Sequence, residues 1–304
     1  MAGRIPRFLD GLVAAMVTPY ESRGGPIDYG AAAQLASWLV DGGVDAVLVG
    51  GSTGELSLIG PQEEARLVAK VAEAVGGRAS VLAGVPPAPL EVAIDWGRLV
   101  VDSGAEAVLV PPPHYLEASP EGLVEYYTSL AARLEVPLIL YHVPLHAGST
   151  VPAEAAARIA GESSNVVAVK ATTRDPTYVA DVLRESGGRL RVLAGLDEAV
   201  LLALAYGASG AVVGLANVVP ATFRRLLGAW VHGQYSQALE AQAEVERVLW
   251  AIRAGASYQG AIKAALSMMG LPVKPHVRPP LPPETDETLK ALRERLRLAG
   301  LLEG

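Results

Sequence analysis

Lysine is scarce in this chain, occurring only at Lys70, Lys170, Lys263, Lys274 and Lys290, and one of the five closes a strongly apolar run. Lys170 follows Val166, Val167, Ala168 and Val169. An ammonium at the end of a buried strand is costly unless it is paired, opens onto a mouth, or does chemistry. Burial lowers an ammonium pKa and so supplies free amine to attack a ketone carbon. A lysine at a strand end can also simply snorkel to water. Two further apolar runs end in polar groups, at Gly50-Gly51-Ser52-Thr53-Gly54-Glu55 and at Tyr141-His142-Val143-Pro144. The first fits G-x-S-x-G, the elbow that presents a nucleophilic serine, but an elbow needs a helix to begin at that serine. Here the next helix signal waits until Pro61. A plain turn, or a nest of N–H groups and hydroxyls that holds a carboxylate or phosphate, remains open. Tyr141 is either a core aromatic or a proton carrier. His142 and His146 stand four apart, but Pro144 between them prevents one helical face and no acid lies near, so no metal site is expected.

Such groups must be held by something, and the hydropathy pattern supplies it. Eight short β-branched runs lie at Leu12 to Val17, Ala46 to Gly50, Val81 to Gly84, Ala107 to Val110, Pro137 to Tyr141, Val166 to Lys170, Leu190 to Ala194 and Gly210 to Val213. They are apolar at nearly every position, as parallel strands covered on both faces must be. Helical stretches separate them. Asp28 is placed as an N-cap, and Gly60-Pro61 followed by Glu63 and Glu64 reads as a helix start. Pro120, Pro152 and Pro220 open segments of the same kind. Eight strand–helix units predict a (β/α)8 TIM barrel over residues 1–232, with an open doubly wound sheet as the competing arrangement. Residues 233–304 carry no strand signal and are expected to form a C-terminal helical appendage packed on the barrel. Its periodic stretches are Ala238 to Ile252, Ala261 to Met269 and, after a Pro-rich bridge from Arg278, Glu284 to Leu298.

Composition narrows the functions. The 304 residues are 51% hydrophobic and carry a formal charge of −7, which excludes disorder and argues against nucleic-acid binding. With no cysteine there is no disulfide, thiolate metal site or cysteine nucleophile. No apolar run reaches the roughly 18 residues of a membrane helix, so a cytoplasmic protein without membrane partners is expected. Asparagine occurs only at Asn165 and Asn217, and arginine outnumbers lysine 20 to 5, a bias that suits selection for heat or simply a GC-rich genome.

Taken together, these residues resemble the dihydrodipicolinate synthase/N-acetylneuraminate lyase family of class I pyruvate aldolases and synthases, along essentially the whole chain. Gly51-Ser-Thr-Gly-Glu55 is similar to the family's G-T-T-G-E, Tyr141-His-Val-Pro144 to its Y-N-x-P, and Val169-Lys170 to its Schiff-base lysine. Pro113-His-Tyr115, Gly195-Leu-Asp197 and Gly207-Ala-Ser-Gly210 fit as well. The resemblance implies an imine between Lys170 and pyruvate, with Tyr141 moving protons. Ser52 and Thr53, with Gly51, would hold the carboxylate, and Gly195 and Val212 would also border substrate. Tyr115 would complete a hydroxyl relay with Ser52 across a dimer interface, within a homotetramer. Neither cofactor nor metal is implied.

Three departures bear on the substrate. His146 stands where the lysine-pathway synthases carry a carboxylate-gripping arginine, His114 replaces the first tyrosine of P-Y-Y, and His142 replaces the motif asparagine. Histidine lacks arginine's permanently charged fork. A 2-keto-3-deoxy sugar acid aldolase is therefore expected, with mouth histidines meeting substrate hydroxyls. 4-Hydroxy-tetrahydrodipicolinate (dihydrodipicolinate) synthase is the alternative within the family. A serine hydrolase using Ser52, or a non-catalytic oxo-acid sensor, are alternatives outside it.

Overall fold

The computed structural model describes residues 6–114, 118–144 and 150–303. Eight parallel strands close in sequence order: β1 (Leu12–Ala15), β2 (Ala46–Val49), β3 (Ser80–Gly84), β4 (Ala107–Val110), β5 (Leu138–His142), β6 (Val166–Ala171), β7 (Arg191–Ala194) and β8 (Gly210–Val213). β1 pairs with β8 through Leu12 and Ala211, so the sheet has no edge. All eight strands expected from the sequence are present, and the open sheet is excluded.

Each strand is followed by a helix: α1 (Tyr29–Asp41), α2 (Pro61–Val75), α3 (Leu90–Asp102), α4 (Pro120–Leu134), α5 (Ala153–Glu162), α6 (Thr177–Ser186), α7 (Val200–Ala205) and α8 (Pro220–Val231). Their starts follow local chemistry. Asp28 accepts a hydrogen bond from Ala31 N at 2.9 Å, and Glu63 reaches back to Gly60 N at 3.1 Å, satisfying donors that a helix N-terminus leaves open.

The apolar runs conceal a period of two that only closure reveals. Val13, Leu48, Leu109, Ile139, Ala168 and Leu193 point inward and fill the lumen, together with Phe8 and Leu9 from a short turn beneath it. Ala14, Val47, Val108, Leu140, Val169 and Val192 point outward against the helices. A packed lumen of this kind leaves chemistry to the C-terminal ends of the strands. Asn217 fastens that end of the β1–β8 seam. It accepts from Val17 N at 3.1 Å and donates to Ala15 O and Gly214 O, both at 2.7 Å.

Three more helices follow, α9 (Tyr235–Ile252), α10 (Tyr258–Met268) and α11 (Asp286–Leu298). α9 packs along α8, and its Gln242 binds Leu201 N and Asp197 O in the segment after β7. Both carboxylate oxygens of Glu284 accept from Ala256 N, fixing the approach to α10. Arg278, leading the Pro-rich bridge, pairs with Glu63 on α2 at 2.6 Å. No described helix is long and apolar enough to cross a membrane.

Candidate active site

β5 and β6 run side by side in a register that pairs Tyr141 with Lys170. Both side chains point into the lumen and are almost wholly buried. Lys170 Nζ lies 4.2 Å from the centre of the Tyr141 ring. Among the described residues no carboxylate pairs with Lys170, so the amine is held in an apolar wall beside a phenol. The Tyr141 hydroxyl lies 3.4 Å from Ser52 Oγ in the loop after β2. Burial alone would raise the phenol's pKa. Burial is the largest single influence, but the Lys170 charge and the hydroxyls of Ser52 and Thr172 together outweigh it, and Tyr141 is held below the ordinary phenol value. A phenol so tuned releases a proton more readily than free tyrosine.

Thr172 carries no motif signal in the sequence. It lies two residues beyond Lys170, on the face that a strand's alternation turns inward. Its Oγ1 is buried and makes no hydrogen bond of ordinary geometry within the protein. Gly195, after β7, has to lack a side chain because a Cβ there would come within 2.0 Å of that oxygen. Val212 lies in the lumen floor on β8, fully buried among the inward apolar set.

The loop from Gly50 to Glu55 is a turn followed by a 3-10 segment at Leu56–Leu58, and α2 begins only at Pro61. No helix starts at Ser52, and among the described residues no histidine bonds it. The serine-hydrolase alternative is therefore corrected: the G-x-S-x-G spacing arises from a loop whose Ser52 borders the mouth. Thr53 is buried and Ser52 is exposed to the cavity.

A second correction concerns the histidines. His114 lines the mouth, but His142 turns outward and stacks on Tyr178 with ring centres 3.7 Å apart. Alternation along β5 requires this, since Tyr141 faces inward. The His142 Nδ1 lies 3.2 Å from Val151 O, and burial pushes the imidazole down to about 4. It is a neutral packing group rather than part of the mouth. Tyr115 and His146 lie outside the described residues.

The mouth itself is a cavity of about 570 Å³ bordered by Ser52, Tyr141, Val143, His114 and, unexpectedly, Gln259 of α10. After β7, Asp197 accepts from Leu215 N at 2.9 Å and from the Tyr258 hydroxyl at 2.5 Å. Burial raises Asp197 to about 6, against the opposing hydrogen bond from Tyr258. Among the described residues no three His, Asp or Glu side chains converge as a metal site would require.

A (β/α)8 barrel with this mouth is the frame of a carbon–carbon lyase, and the comparisons with known proteins agree. The chain belongs to the dihydrodipicolinate synthetase family, which it matches over residues 8–299. It is 32% identical to a 4-hydroxy-tetrahydrodipicolinate synthase of Chlorobium phaeovibrioides, covering 97% of this chain and 98% of the relative. It is 31% identical to a DapA-like lyase of Thermofilum pendens, covering 96% and 97%. Among solved structures, it resembles a prophage protein of the dihydrodipicolinic acid synthase family from E. coli K12, determined in complex with pyruvate. The TM-score is 0.90 at 25% identity, covering 96% of this chain and 99% of the other.

Proposed function

We propose that this lyase joins pyruvate to an aldehyde, or parts them, through an imine on Lys170, and that its aldehyde is an uncharged hydroxyaldehyde, as in 2-keto-3-deoxy sugar acids. The buried, carboxylate-free Lys170 against Tyr141 is the observation that carries the chemistry. The Lys170 amine attacks C2 of pyruvate, a C–N bond forms, and the former carbonyl oxygen leaves as water after taking up protons passed through Tyr141. Loss of a C3 proton gives an enamine, whose C3 bonds to the aldehyde carbon while the aldehyde oxygen takes a proton. Hydrolysis of the imine frees Lys170. In this scheme Ser52 and Thr53 hold the pyruvate carboxylate, Gly51 and Gly195 leave room for it, and Val212 forms the floor. Tyr115 would join the hydroxyl relay, within the homotetramer expected of the assembly.

The substrate class rests on the lining. The described residues around the cavity offer serine, tyrosine, histidine and glutamine but no arginine or lysine. These suit hydroxyl groups better than a second carboxylate, with His146 in place of the charged fork. The names of the synthase relatives favour a second candidate, 4-hydroxy-tetrahydrodipicolinate synthase. Borohydride reduction with pyruvate, followed by peptide mapping, tests the imine; an adduct on any residue but Lys170, or none, overturns it. Comparison of kcat/KM for glyceraldehyde and aspartate semialdehyde tests the aldehyde. Lack of a charge-assisted clamp implies a penalty of about tenfold on the semialdehyde. A tenfold preference for the semialdehyde would instead establish the synthase.

A further inference from the structure

The loop 50–55 is gripped by a helix that the barrel does not itself supply. Gln259, in the first turn of α10, donates from Nε2 to Ser52 O at 3.1 Å. Its neighbour Tyr258 enters the same space: a Cβ on Gly214 would lie 2.4 Å from the Tyr258 hydroxyl and 3.0 Å from Thr53 Oγ1, so both oxygens border that glycine. One turn further along, Lys263 donates to Glu55 and, at 2.7 Å, to His276 O. Glu55 also accepts from Arg278 N at 3.0 Å, so both of its oxygens are engaged. Two residues of one short loop, Ser52 and Glu55, are thus held by successive turns of one helix.

The Lys263–Glu55 pair is fully buried. Burying an ion pair seldom gives net stability over apolar groups of the same volume, because desolvation cancels the attraction. The pair does hold a geometry. Glu55 has φ of 62°, a left-handed conformation that a non-glycine residue adopts at a cost. The surroundings have to enforce it, and the ammonium of Lys263 is the group aimed at that side chain. Ser257 caps α10 by accepting from Gly260 N at 3.1 Å, so the helix that carries the grip has a defined start.

We propose that α10 is the positioning element of the carboxylate cradle: Gln259 and the Lys263–Glu55 latch set the shape of residues 51–54, and so set affinity for the oxo-acid without touching it. This rests on the assignment of Ser52 and Thr53 to the pyruvate carboxylate. Gln259 and Lys263 are positioning residues, acting through the loop.

Two variants and two readouts test this. Gln259→Ala removes one grip. Lys263→Met with Glu55→Gln removes the latch while leaving no unpaired buried charge. Both should raise the KM for pyruvate about tenfold, and the latch variant, whose residues do not border the cavity, should leave kcat and the KM for the aldehyde within about twofold. Hydrogen exchange at the amides of residues 51–55 should quicken at least tenfold, with α9 and α11 unchanged. Gln259→Glu tests the need for a donor and should behave like the alanine variant, whereas Gln259→Asn with a partial recovery of KM would support positioning. An unaltered exchange rate in the loop overturns the grip. Faster exchange with unaltered pyruvate KM overturns its link to affinity. If borohydride finds no imine on the wild type, the pyruvate assignment fails, and the exchange measurement still decides whether α10 shapes the loop.

Discussion

Two lysines lie almost wholly out of water in this molecule, and each sits over a tyrosine ring. Lys170 Nζ is 4.2 Å from the Tyr141 ring at the mouth, and Lys263 Nζ is 4.3 Å from the Tyr20 ring behind the loop after β2. What differs is the rest of the shell. Lys263 meets Glu55 and a backbone carbonyl, so its charge is matched. Burial still pushes it down to about 8, with Glu55 opposing. Lys170 meets the Tyr141 phenol and, among the described residues, no carboxylate. In the proposed mechanism the amine beside a carboxylate is a strut, and the one beside a phenol serves as the nucleophile.

Substitution at the two sites should separate these roles most sharply. Lys170→Met is expected to cost at least roughly 10⁴-fold in turnover, since the covalent step loses its nucleophile. Its melting temperature should hold or rise, because an ammonium without a carboxylate partner leaves an apolar wall. Lys263→Met should do the reverse in stability, lowering it by about 3–5 kcal/mol in urea unfolding because Glu55 is left as a lone buried charge. Adding Glu55→Gln should restore most of that loss. Equal stability effects at the two positions would erase the contrast.

The two tyrosine-facing environments can be probed next through Tyr141. Tyr141→Phe preserves the ring under Lys170 and removes only the hydroxyl. Turnover should fall roughly 10²–10⁴-fold, as for loss of a positioned acid–base group, with little change in melting temperature. Turnover near that of the wild type would leave Tyr141 as a wall for the amine and nothing more.

The smallest expected effect tests the other side of the same strand. His142 titrates near 4 when folded and near 6.5 when unfolded. Between those values the unfolded chain binds a proton that the folded chain refuses, so stability falls as pH drops from about 6.5 towards 4. Asp197 shifts in the opposite sense, but it is shared by the variant below and cancels in the comparison. His142→Phe keeps an aromatic surface on Tyr178 and should show a shallower fall in urea midpoint between pH 7 and pH 4.5. An identical fall would mean that other groups control the acid limb.

Much of the site was legible because strand ends announce themselves. Lys170 stood out as a charge closing Val166 to Val169, and Tyr141 as a polar group ending the preceding run. The inward face of Thr172 follows from its spacing of two from Lys170, whereas its approach to the Tyr141 hydroxyl depends on the pairing of β5 with β6. The outward turn of His142 follows from the same alternation, which its place in the Tyr141-His-Val-Pro144 motif masks. The serine loop was ambiguous locally, since a turn, a cradle and an elbow share the same glycines; the distance to the start of α2 separates them.

The sequence by itself determined eight strands, the helices between them, their caps, and the lysine and tyrosine that end two neighbouring strands. These are local matters: side-chain branching, periodic burial and capping act over a few residues. Tertiary structure alone decided that Gln259 and Lys263 reach Ser52 and Glu55, 207 and 208 residues away. The periodic signal for α10 began at Ala261, three residues late, and omitted the turn that reaches the mouth. An amphipathic helix encodes that it has a buried face and not which surface will cover it, because apolar contact is non-directional. Closure of the barrel and the path of the Pro-rich bridge select that surface, and only then do a glutamine, a tyrosine and a lysine on one helix become part of the site.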